Sequence, residues 1–104
     1  MNPRGPIIVI EDDEDDQELI TDAFKELGYE NIIRFFSSGI VALDYLHTTD
    51  EKPFIILSDI NLPKLTGIEL RNRIIENESL RLKCIPYLFF TTAASQQAIV
   101  DAYS

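Results

Sequence analysis

The run "IIVIEDDEDD", residues 7–16, joins four β-branched apolar residues directly to six consecutive carboxylates. An unbroken apolar run, rather than an alternating one, is the pattern of a strand covered on both faces, and a strand is expected over 6–11. The acids that follow pose an electrostatic problem. Like charges crowded onto one turn repel each other, so they either spread into solvent or converge on a cation.

Outward from this stretch, apolar periodicity supplies the remaining elements. Leu19, Ile20, Ala23, Phe24 and Leu27 recur at helical spacing between Asp15 and Leu27, with acids at the positive end of the helix dipole and Gly28 placed for the C-cap. "NIIRFF" (31–36) predicts a second strand, and Ser37 or Ser38 can cap a helix carrying Ile40, Leu43, Tyr45 and Leu46. "FIILS" (54–58) is a third continuous apolar strand, followed by the turn-rich "DINLPKLTG" (59–67). Ile68, Leu70, Ile74 and Ile75 then mark a helix ending near Glu78. "PYLFF" (86–90) reads as a fourth strand and "SQQAIVDAY" (95–103) as a fourth helix capped by Ser95.

Strands alternating with helices through short loops fold as α/β, with a parallel sheet covered on both faces. The flavodoxin-like order, here 2-1-3-4, makes the first and third strands neighbours, and ligands of such sheets bind outside the strands' carboxyl ends. Neighbouring strands lie about 4.8 Å apart. Glu11 and Asp12, ending the first strand, can therefore meet Asp59, ending the third. Carboxylates forced together raise one another's pKa unless a cation offsets them. Oxygen-only ligands with open positions suit Mg²⁺ bridging to a phosphoryl group, and leave one carboxylate to act as nucleophile.

Bulk composition narrows the function. The 104 residues, 45% hydrophobic and 26% charged, suit one folded domain, and a net charge of −9 argues against a nucleic-acid surface. No apolar run approaches the roughly 20 residues that span a bilayer. The single Cys84 forbids an intramolecular disulfide and makes a reducing cytoplasm the expected compartment.

On these residues the chain resembles receiver domains of two-component response regulators, the chemotaxis-regulator type. "IIVIEDD" is similar to that family's first strand and acidic pair, "LSDINLPKLTGIEL" to its phosphoacceptor segment with Pro63 and Gly67 in register, and "IPYLFFTTA" to its fourth strand. Within the family it looks most like single-domain regulators that partner phytochrome-type histidine kinases. The resemblance implies that Asp59 accepts a phosphoryl group from a kinase phosphohistidine. It implies Mg²⁺ held directly by Asp12 and Asp59, through water by Glu11, and by the backbone carbonyl of Asn61. Thr91 would hydrogen-bond the phosphoryl group and shift a partner-binding surface around itself and the fourth helix, and homodimerisation through that surface is a possibility the family offers.

The family pattern continues with a strand ending in Lys-Pro and a fifth helix, which these residues do not reach. The expectation is a receiver domain, 1–104, shortened at its C-terminus, with the fourth strand an open edge. Such a lysine's charge-assisted contact is worth about 1.5–3 kcal/mol.

Plainer readings apply to other residues. Glu14, Asp15, Asp16 and Glu18 are expected to be a solvated helix start, and no register of the acidic run fits an EF-hand loop. Thr92 competes with Thr91 and, being branched, would narrow access to Asp59. Cys84 is expected to be structural, His47 a surface residue, and Arg71, Arg73, Arg81 and Lys83 a solvated face. Tyr29, Tyr45, Phe35 and Phe36 read as packing aromatics. Beside the switch stand two other functions: a non-cycling protein-binding module, and an Asp-nucleophile phosphatase, which usually has a second acid where Asn61 stands.

Overall fold

The computed structural model describes residues 2–62, 64–83 and 86–90. Along them run β1 (Ile7–Ile10), α1 (Glu14–Glu26), β2 (Ile33–Phe36), α2 (Gly39–Thr48), β3 (Ile55–Asp59), α3 (Gly67–Glu76), α4 (Glu78–Lys83) and β4 (Tyr87–Phe90). The strands form one parallel sheet in the expected order β2-β1-β3-β4. All four residues of β1 are 0% exposed, which is why a sequence with no polar alternation folds here as a central strand.

One side of the sheet carries the core. Ile8, Ile10 and Ile56 pack with Ala42 and Leu46 of α2, Leu70 and Ile74 of α3, and Leu80 of α4. Local chemistry starts and stops these helices. Ser38 caps α2 through Ile40 N–H, and Thr66 and Glu69 form a reciprocal capping box at α3. At the end of α1, Gly28 takes φ +85°, the Gly28 N–H donates to the Lys25 carbonyl and the Tyr29 N–H to the Phe24 carbonyl. The Tyr29 ring then meets Phe24 edge-on at 5.8 Å, completing a Schellman motif with its apolar contact.

Two expectations need correction. The helix read as running to about Glu78 ends at Glu76, because Asn77 is extended and its side chain accepts the Leu80 N–H, opening the separate helix α4. Lys83 is no part of a solvated face: its Nζ donates to the Leu46 carbonyl at 3.1 Å and to the Thr49 carbonyl, closing the C-terminal end of α2.

The opposite side of the sheet is more open. No residue of α1 is buried, Leu19 and Leu27 are 66% and 72% exposed, and Ile20, Ala23, Phe24 and Leu27 line an apolar groove of about 240 Å³ with Leu57 and Phe90. Among the described residues β4 is an edge strand. The expected fourth helix over 95–103, together with Pro63, Cys84, Thr91 and Thr92, lies outside the described residues. Within them, no helix is long and apolar enough to cross a membrane.

Candidate functional site

Parallel register builds the site. Ile10 pairs with Ser58 across β1 and β3, so Glu11, one step beyond the strand, comes level with Asp59. The Glu11 N–H donates to the Phe36 carbonyl at 2.9 Å, and the Gln17 side-chain amide donates to the Glu11 carbonyl at 2.7 Å, fixing the turn from both sides. Glu11, Asp12 and Asp59 each place a carboxylate oxygen within 4.8 Å of the others. Glu11 and Asp59 are 1% exposed, whereas Asp12 is open to solvent.

Two buried acids in contact create an unmet electrostatic demand. The Asp13 N–H donates to Glu11 Oε1 at 2.9 Å, but Oε2 is buried without a hydrogen-bond partner. Burial pushes the Glu11 carboxyl from 4.5 up to about 8; the Asp13 N–H opposes the shift, and neighbouring Asp59 and Asp12 add to it. The Asn61 N–H donates to Asp59 Oδ1 at 3.0 Å, holding the second acid in place. Three carboxylates with a buried oxygen lacking a donor fit a hard divalent cation better than they fit one another.

The loop after Asp59 is tied closely beneath it. A Cβ at Gly67 would stand 2.3 Å from the Asp59 carbonyl oxygen, so only glycine permits this approach. The Gly67 N–H donates to the Ile60 carbonyl at 3.0 Å, and Lys64 adopts a left-handed φ of 66° between them.

The sequence-predicted residues thus divide. Glu11, Asp12 and Asp59 come together, and the Asn61 backbone lies against Asp59. Glu14 and Asp15 are exposed in the first turn of α1, Asp16 is half-buried there, and Glu18 and His47 are exposed. Sequence reasoning missed Asp13, whose carboxylate accepts the Asp15 and Asp16 N–H groups as the α1 N-cap. Its position just before a helical stripe was the available signal. Gln17 had none.

Comparison with known proteins gives the family and the fold. Residues 7–104 match the response regulator receiver domain family. The probable methanogenesis regulatory protein FilR2 of Methanothrix harundinacea is 35% identical over 102 residues, covering 94% of this chain and 64% of that protein. The chain therefore spans just under two thirds of that relative's length. The solved bacteriophytochrome response regulator AtBRR superimposes with a TM-score of 0.77 at 30% identity, over 95% of this chain and 74% of that one. The Mn²⁺-bound form of response regulator Rcp1 does so with a TM-score of 0.73 at 25% identity, over 95% and 73%.

Proposed function

Because this chain belongs to the response regulator receiver domain family of two-component signalling, we propose that Asp59 is its phosphoacceptor and that Glu11, Asp12 and Asp59, with the Asn61 backbone carbonyl, hold Mg²⁺. The observation that carries this reading is the buried Glu11 Oε2 without a partner beside Asp59 and Asp12. That the Rcp1 relative has a Mn²⁺-bound form supports a divalent ion in this reading. The donor is a sensor histidine kinase, and the setting is the cytoplasm.

In the transfer, an Asp59 carboxylate oxygen attacks the phosphorus of a phosphohistidine. The new O–P bond forms as the P–N bond breaks, and the imidazole leaves with the electron pair and takes up a proton. The attacking atom is a carboxylate oxygen, and the Asn61 N–H on Oδ1 fixes the direction in which that carboxylate points. A bound Mg²⁺ supplies the positive charge that lets an anionic carboxylate approach an anionic phosphoryl group. Thr91, following Phe90 in the chain, hydrogen-bonds the phosphoryl group in this reading, and a protein partner reads the resulting shift in the neighbouring surface. The chain is a switch that modifies itself once per cycle, not an enzyme that turns over free substrate.

Incubation with acetyl phosphate and Mg²⁺, followed by intact mass measurement, tests the reading. One phosphoryl group is expected on the wild type and none on Asp59→Asn. No gain on the wild type favours a non-cycling binding module, and sustained release of phosphate from phosphoesters favours a phosphatase.

A further inference from the structure

We propose that the Tyr87 hydroxyl is a positioning group for Asp59, acting through Gly67 and the loop between them; the proposal rests on Asp59 being the phosphoacceptor. Tyr87 opens β4, pairs with Ile56 of β3 and packs half-buried against the core. Its hydroxyl donates to the Gly67 carbonyl at 3.1 Å, twenty residues away in sequence.

Gly67 is the point through which that contact reaches the site. Its α-carbon leaves no room for a Cβ against the Asp59 carbonyl and Ser58 Oγ, so its backbone rests directly on the acceptor's own. Its N–H holds the Ile60 carbonyl at 3.0 Å, and the next residue, Asn61, supplies the N–H on Asp59 Oδ1. A displacement of Gly67 therefore moves the Asp59 backbone and the amide that orients its carboxylate together. Between these ties Lys64 takes a left-handed φ of 66°. Core packing does not require a hydroxyl here: the Tyr87 ring lies 5.4 Å from Phe89, a contact phenylalanine at 87 would keep.

Tyr87→Phe in the intact protein, phosphorylated by acetyl phosphate with saturating Mg²⁺, tests this alongside amide hydrogen exchange at Asn61 and Gly67. Lys83→Met, which removes the tie between α4 and the end of α2, serves as a destabilised control remote from the loop. The maximal rate of Tyr87→Phe is expected to fall about 3- to 10-fold with the half-saturating donor concentration unchanged. Exchange at Asn61 and Gly67 quickens, and the folded Lys83→Met protein keeps the wild-type rate. A Tyr87→Phe protein with wild-type rate and exchange overturns the proposal and leaves Asp59 as acceptor. An equal slowing in Lys83→Met overturns it by tracing the effect to general destabilisation. A wild type that takes up no phosphoryl group overturns both, and that failure is visible before any Tyr87 variant is made.

Discussion

Glu11 and Asp15 stand four residues apart in one acidic run, and the fold treats them in opposite ways. Glu11 is sealed at the end of β1 against Asp59, with one oxygen bonded by an N–H and the other facing no donor. Asp15 is exposed to water in the first turn of α1, at the positive end of the helix dipole, and its N–H is capped by Asp13. The same side chain chemistry is an unmet demand in one place and ordinary surface in the other. What separates them is where the strand stops: the last apolar residue, Ile10, sets which acid lies level with β3.

The largest effect that can break this contrast comes from neutralising the sealed acid. With its folded-state pKa raised from 4.5 to about 8, Glu11 binds its proton more tightly in the folded protein than in the unfolded one. Its contribution to stability without metal is therefore fully present below about pH 4.5 and lost as pH rises through about 8. Glu11→Gln is expected to raise the metal-free melting temperature above pH 8 by at least roughly 4–8 °C, what about 1 kcal/mol is worth in a domain this size. The gain disappears below pH 4.5, and melting scans across that range check it. An equal gain at all pH values contradicts burial of an ionisable Glu11.

The intermediate case is Asp13, which links the two regions by donating its N–H to Glu11 and capping α1 with its carboxylate. Asp13→Ala is expected to cost about 1 kcal/mol in chemical denaturation, as other lost N-caps do. Asp15→Asn sits at the small end. It should change stability by about 0.3–1 kcal/mol at low ionic strength, less in high salt.

How much of this was legible in the sequence follows from the range of the forces involved. The strands were readable because Ile7–Ile10 and Ile55–Leu57 are unbroken apolar runs spaced by helical stripes, whereas their order came from the flavodoxin-like topology and not from the runs themselves. The convergence of Glu11, Asp12 and Asp59 followed from strand ends in a parallel sheet, a consequence of topology rather than of side-chain detail. The break at Asn77 was not legible, since apolar residues at 74, 75, 80 and 82 continue a helical appearance across it. Lys83 was misread because its carbonyl partners, on Leu46 and Thr49, lie more than thirty residues away and leave no local mark. The α1 stripe was read correctly as a helix, but periodicity says nothing about how much of the stripe is covered.

A calorimetric Mg²⁺ titration near pH 7.5 tests most directly whether three of these acids form one cation pocket. One ion per chain is expected, with affinity weakened about 100-fold or more in Asp12→Asn and unchanged in Asp15→Asn. Absence of saturable binding, or equal losses from the two substitutions, would contradict a single pocket at the ends of β1 and β3.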